Sequence, residues 1–211
     1  MTRVRIFIDF WNFQTGWNAR LGRGGEGKAA EQCDWTSLPR VLLRETGAVL
    51  ASVGIDEACS LEETLVYASV DPANPNELKL RGWLSNFLDR LPSFKVTIHE
   101  RRSRPFAAHC RGCGVETSNC PSCGAAFARS VEKGVDTALV TDLLALGSEG
   151  AFDVALLVSS DADFAPATRH LQGRGIKVIN VAWPGQGHEL KKACWADVDL
   201  DRCKSDLFRR P

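Results

Sequence analysis

The stretch DVALLVSSDADF, residues 153–164, decides how this chain is read. Residues 154–158 are an unbroken apolar run, the pattern of a strand buried on both faces. The run passes through Ser159 and Ser160 to two carboxylates, Asp161 and Asp163, one residue apart. A helical pattern follows, with Pro166 in its first turn. Open α/β sheets place ligands beyond the carboxyl ends of their strands, at turns of this kind.

Working outward, the same alternation recurs. Residues 3–10 (RVRIFIDF) read as a strand ending at Asp9, and residues 11–20 as a helix. Further helical patterns cover 38–53, 76–91, 131–146 and 164–174, with a short one after the turn at 184–187. Strand patterns cover 63–70, 95–100, 153–160 and 177–183, with a possible edge strand at 197–200 and a basic tail from 202 to 210. Strands alternating with helices predict an α/β fold with a mainly parallel sheet flanked by helices on both faces. Residues 1–211 read as a single domain, and residues 101–131, basic, cysteine-rich and poor in aliphatics, as an insertion within it. The glycine-rich segment 20–28 (RLGRGGEGK) does not directly follow a strand, so a plain surface loop competes with a phosphate-binding loop there.

Composition narrows the class. A chain of 211 residues that is 44% hydrophobic has enough apolar material for a packed core. Its 26 basic and 26 acidic side chains cancel, so any preference for a charged partner must come from distribution. There is no apolar run of about 18 residues, which argues against a membrane span. The amino terminus enters a strand directly and is charged too early for a signal peptide, so a cytoplasmic location is expected. A homo-oligomer is compatible with the sequence but not readable from it.

The acids are gathered. Asp9 closes the first strand, with Asn12 close behind it. Asp136 falls in the first turn of a helix, where the dipole favours a carboxylate. Asp142 interrupts the apolar stripe of Val135, Leu139 and Leu146 on that helix. Residues 134–163 hold six acids and no lysine or arginine, a run that calls for a neutraliser. A hard divalent cation such as Mg²⁺ is one, and it would activate water against a phosphodiester. Each acid also has a plainer reading: Asp163 as the cap of the helix at Phe164, Asn12 as the cap of its own helix, Glu149 and Asp153 as solvated turn residues.

Three segments together resemble a known family. FIDFWN (7–12), KGVDTALVTDLL (133–144) and LLVSSDADFAP (156–166) are similar, in order and spacing, to the three motifs of the NYN domains. These are members of the PIN-like nuclease superfamily related to LabA and DUF88 proteins. Two departures stand out: Ser160 where glycine is usual, and Phe10-Trp11 where smaller or polar residues are common. The resemblance implies a Rossmann-like PIN fold and Mg²⁺- or Mn²⁺-dependent phosphodiester hydrolysis, most often of RNA. It implies that Asp9, Asp136, Asp161 and Asp163 hold the metal, that Asn12 orients a ligand or phosphate, and that Asp142 is a secondary member. Some relatives bind without cleaving, so a non-catalytic RNA-binding adaptor and a small-molecule phosphohydrolase stay open beside an endoribonuclease acting on single-stranded RNA. DNA is a narrower variant of the same expectation.

The insertion has chemistry of its own. Cys110-x-x-Cys113 and Cys120-x-x-Cys123 are two knuckle-like pairs, each followed by glycine, and four thiolates suit one tetrahedral structural Zn²⁺. Disulfides or unligated thiols are the alternatives, and His109 adjoins the cluster. Cys33, Cys59, Cys194 and Cys203 are scattered singly and read as small packing residues. Arg101, Arg102, Arg104, Arg111, Arg129 and Lys133 outnumber the three glutamates around them. They make the insertion a candidate nucleic-acid clamp, with Phe106 or Phe127 available to stack on a base. A zinc staple with merely solvated arginines is the plainer reading. Trp17, Trp35 and Trp83 are expected in the core, while Trp11 stands beside Asp9.

Overall fold

The structure, a computed structural model, describes residues 1–21, 32–131 and 134–209. Most of the glycine-rich segment and Lys133 lie outside the described residues.

Six strands form one parallel sheet: β1 (Thr2–Asp9), β2 (Cys59–Val70), β3 (Phe94–Glu100), β8 (Val154–Val158), β9 (Lys177–Ala182) and β10 (Ala196–Asp199). Their spatial order is β10-β9-β8-β1-β2-β3. The chain therefore steps outward in one direction from β1 and in the other from β8. The reversal of order falls between those two neighbours, where an open parallel sheet leaves a crevice at its carboxyl edge. Ile8 pairs with Val158, so Asp9 and Ser159 emerge together at that edge.

Both faces are covered. Val4, Ile6, Ile8, Val66, Leu156 and Val181 point to one side, under α1 (Phe10–Leu21), α2 (Leu38–Ser52), α3 (Pro75–Asn86) and α7 (Leu200–Leu207). Phe7, Leu65, Tyr67, Leu157 and Val178 point to the other, under α4 (Val135–Ser148), α5 (Ala165–Gly173) and α6 (His188–Ala193). Successive residues face opposite sides of a strand, so strands buried on both faces read as continuous apolar runs. Trp17 and Trp35 lie in the first of these cores and Trp83 packs against it. Among the described residues no helix is long and apolar enough to cross a membrane.

Four expectations need adjustment. β2 starts at Cys59 rather than near 63, because Glu63 pairs across the sheet with Arg5 and the charged segment stays in the ladder. The helix expected at 76–91 ends at Asn86, and a 3₁₀ turn, Leu88–Arg90, replaces its last turn. The helix expected from 131 begins at Val135, because residues 128–131 pair as a strand with residues 102–105. The basic tail is largely α7: the Asp199 side chain accepts a hydrogen bond from Asp201 N–H at 2.8 Å, and Leu200, Cys203 and Leu207 dock on the sheet.

Outside the sheet, residues 102–131 form two small antiparallel ribbons. One pairs β4 (Arg102–Pro105) with β7 (Ala128–Val131), and the other pairs β5 (Ala108–His109) with β6 (Glu116–Thr117). β4 begins two residues after β3 ends, and β7 leads into α4, so the arm grows from the carboxyl edge of the sheet.

Candidate active site at the carboxyl edge of the sheet

A cavity of about 350 Å³ opens between the ends of β1 and β8, lined by Asp9, Trp11, Asn12, Thr15, Gly16, Asp136, Ser160, Asp161 and Gln186. Three of the predicted acids thus meet in one place, each from a different element.

Asp9 forms the floor and is 8% exposed. One carboxylate oxygen accepts the Asn12 backbone N–H at 3.2 Å, and the other accepts the Ser159 hydroxyl at 3.1 Å. The Asp161 backbone N–H donates to that same hydroxyl oxygen at 3.1 Å, and Asn180 Nδ2 donates to the Ser159 carbonyl at 2.8 Å. These bonds carry a continuous polar network from β1 through the β8 turn to β9, and it fixes the direction of the Asp9 side chain. Asn12 does not cap its helix with its side chain. Its Oδ1 accepts Ser160 N–H at 2.9 Å and Ser160 Oγ–H at 2.7 Å, locking the β8 turn against α1. Serine therefore fits where glycine is usual: its hydroxyl gains a partner.

Asp161 and Asp163 divide the expected roles unequally. The Asp161 side chain accepts Asp163 N–H at 2.9 Å and caps the 3₁₀ turn Ala162–Phe164 while also lining the cavity. Asp163 is exposed and is not among the lining residues. Asp136 is exposed in the first turn of α4 and faces the cavity. Asp142 lies two turns further along α4, where it accepts the Tyr67 hydroxyl at 2.7 Å. Burial and this hydrogen bond raise the Tyr67 pKa well above the ordinary phenol range, so Tyr67 remains a donor.

Sequence reasoning did not single out Thr15, Gly16 or Gln186. Thr15 follows Asn12 by three residues and so shares its helix face, a signal that was available. Gln186 and Gly187 arrive from the β9–α6 turn, which is adjacent to Ser160 only in space. Gly187 has φ +65°, and a Cβ there would lie 2.8 Å from Ser160 Cα, so a side chain has no room.

Phe10 and Trp11 also separate. Phe10 is fully buried in the core, stacked with Trp35. Trp11 walls the cavity; its Nε1–H donates to the Ser69 carbonyl at 2.6 Å. The Arg101 guanidinium lies 4.8 Å from the Trp11 ring centre and is ion-paired to Glu77.

In the arm, the two cysteine pairs adopt the same turn. Gly114 N–H donates to the Cys110 carbonyl and Gly124 N–H to the Cys120 carbonyl, and both glycines have positive φ, near +75° and +71°. Backbone N–H groups of Cys113 and Gly112 point at the Cys110 sulfur, and those of Cys123 and Ser122 at the Cys120 sulfur. These hydrogen bonds hold both thiols below the ordinary range. Burial instead pushes Cys194 up to about 12 and Cys203 up to about 11, as expected of packing residues. None of the eight cysteines forms a disulfide. Among the described residues, no three His, Cys, Asp or Glu side chains stand close enough together to hold a metal ion as placed. The acid lining supplies oxygen donors alone, a set that suits a hard divalent cation; the knuckles supply sulfur, which suits zinc.

The fold and this edge define an α/β protein with a doubly wound parallel sheet and an acid-lined crevice where the strand order reverses. The chain belongs to the NYN domain family, which it matches over residues 3–200, and NYN domains are generally nucleases. It is similar in structure to a protein of unknown function, VPA0982, from Vibrio parahaemolyticus RIMD 2210633. That likeness covers 99% of this chain and 96% of the other at 14% identity, with a TM-score of 0.55, and it bears on fold alone. No curated protein matches the chain.

Proposed function

We propose that this protein is a metal-dependent nuclease, an endoribonuclease acting on single-stranded RNA, of the LabA/DUF88-like branch. The supporting observation is the meeting of Asp9, Asp136 and Asp161 in one crevice at the strand-order reversal. These three side chains would hold Mg²⁺ or Mn²⁺, with Asp163 beside them. A bound divalent ion supplies an acidified water and stabilises charge developing on a phosphodiester. The chain's own contribution is positioning. Ser159 and the Asn12 backbone aim the Asp9 carboxylate, while Asn12 clamps the turn that presents Asp161. Thr15 and Gln186 offer hydrogen bonds to a phosphate entering the cavity.

The test is incubation of labelled single-stranded RNA and DNA with the protein, with Mn²⁺ or with EDTA. Metal-dependent shortening of RNA is expected, with none in EDTA. One observation favours a second reading: the acids do not stand as a preformed three-ligand group among the described residues. A non-cleaving RNA binder would leave RNA intact but retained in complex with the protein. Turnover of a chromogenic phosphate ester with none of RNA would instead mark a small-molecule phosphohydrolase.

Zinc in the arm belongs to the same proposal. The two knuckles share one backbone form and present Cys110, Cys113, Cys120 and Cys123. About one zinc per chain is expected by metal analysis, lost in Cys110→Ser with Cys120→Ser, because four thiolates complete a tetrahedral site. Zinc well below one per chain in protein purified without chelator rejects the site.

A further inference from the structure

We propose that one face of the β4–β7 ribbon is a single-strand binding platform, on which two opposed arginines take phosphate and a phenylalanine pair takes a base. The inference deepens the nuclease reading and rests on it for the identity of the polyanion. The sequence offered six cations in this region; the fold sorts them. Arg101 is committed to Glu77 and Trp11 at the cavity wall. Arg111 lies in the first knuckle, and Lys133 is outside the described residues. Arg102, Arg104 and Arg129 are exposed on the ribbon and make no ion pair among the described residues.

Register puts them on one side. Arg104 is directly opposite Arg129, and Arg102 is two residues from Arg104 on the same strand. Alternation along a strand gives these three a common face. Phe106 and Phe127 extend the same alternation beyond the ribbon's end. The Phe106 N–H donates to the Phe127 carbonyl at 3.1 Å, and their rings stack at 5.8 Å and 28°. Phe106 remains 37% exposed. Like charges directly opposite each other on an antiparallel pair repel, and an anion seated between them reverses that sign. An exposed aromatic face at the end of a row of guanidinium groups is the arrangement that sequence-tolerant single-strand binding uses, phosphate by phosphate and base by ring. An unpaired strand is required, since a duplex hides its base faces in the stack.

The position of the ribbon supplies the last argument. The ribbon is anchored to the carboxyl edge at the end where Arg102 pairs with Val131: Arg101 there lies against Trp11, and β7 runs on to α4, which carries Asp136. A strand lying along this face leads toward the acid-lined cavity, so the platform would feed the site.

The experiment measures equilibrium binding of a short labelled single-stranded oligoribonucleotide, and of its deoxy counterpart, to full-length protein in an Asp9→Asn background that removes cleavage. Arg104→Glu with Arg129→Glu is expected to raise Kd on the order of tenfold or more at moderate salt. It should lower the slope of log Kd against log salt by about 1.4, since each phosphate contact on a single strand contributes about 0.7. Phe106→Ala should weaken binding roughly fivefold or more with little change in slope, as loss of one stacked base does. Arg90→Glu with Arg174→Glu is the charge-matched control: both are exposed and precede β3 and β9 at the opposite edge. Ribbon variants that bind like this control, with unaltered circular dichroism, overturn the proposal. So does an arginine effect with no Phe106 effect and equal competition by polyglutamate, which would make the face a site for acidic polypeptide. The RNA and DNA arms decide which sugar is preferred. Cleavage is read separately in the chain with Asp9 intact. Cleavage with ribbon-independent binding removes the platform and keeps the nuclease, whereas ribbon-dependent binding with no cleavage does the reverse.

Discussion

Asp9→Asn is expected to lower metal-dependent cleavage on the order of 10³-fold, because several kcal/mol of metal-held charge stabilisation goes with the carboxylate and each ~1.4 kcal/mol is tenfold in rate. The substitution is nearly isosteric, which makes it informative. The remaining side-chain oxygen still accepts the Asn12 N–H, and the new amide faces a serine hydroxyl that accepts as well as donates. Stability should therefore change by no more than about 1 kcal/mol, the size of one exchanged hydrogen bond. Single-turnover cleavage and urea unfolding on the same preparations check both halves. An active Asp9→Asn protein would remove Asp9 from the metal site; an unfolded one would show that the buried network, not the metal, needs the charge.

Gly187→Ala is expected to damage the site from a distance in sequence. Its φ of +65° costs an alanine about 1–2 kcal/mol. Its Cβ would also sit 2.8 Å from Ser160 Cα and 2.9 Å from Ser160 Cβ, and a backbone atom cannot swing aside as a flexible side-chain tip does. Overlap of this kind adds about 1–3 kcal/mol, or it moves the turn. Ser160 is clamped by Asn12 and precedes Asp161, so a shift of the turn carries a proposed metal ligand with it. Displacement near 1 Å at a reacting centre costs roughly 10²-fold in rate. Gly150→Ala separates the two effects: its φ is +67° but nothing lies within 4 Å of the added carbon. It should lose the conformational part of the stability alone and cleave at the wild-type rate. Equal activity of the two variants would show that the β9–α6 turn does not support the site.

Much of the fold was readable because its sheet is parallel and covered on both sides. Such strands must be apolar throughout, and runs like VALLV at 154–158 announce themselves. The misreadings occurred where a partner elsewhere in the chain changed the meaning of a residue. Glu63 looked like a strand boundary until Arg5 was placed beside it. Val131 reads as the start of a helix until pairing with Arg102 places it at the end of a strand. The segment that reads as a basic tail is mostly a helix, because Leu200, Cys203 and Leu207 are buried.

The acids follow the same division. Local pattern was enough to place Asp9 and Asp161 at strand ends and Asp136 in a helix's first turn, since each position depends on a few neighbouring residues. It could not say that Asp161 both caps the turn and lines the cavity while Asp163 stays outside it, because backbone direction after Ser160 settles that. Nor could it place Asp142 on the Tyr67 hydroxyl, or bring Gln186 and Gly187 to Ser160. Those contacts join separate elements that the assembled sheet, in the order β10-β9-β8-β1-β2-β3, and its covering helices bring side by side. Pattern along the chain reports what a residue does for its own helix or strand. Packing of separate elements decides which residues share a cavity, and that is a property of distance in space.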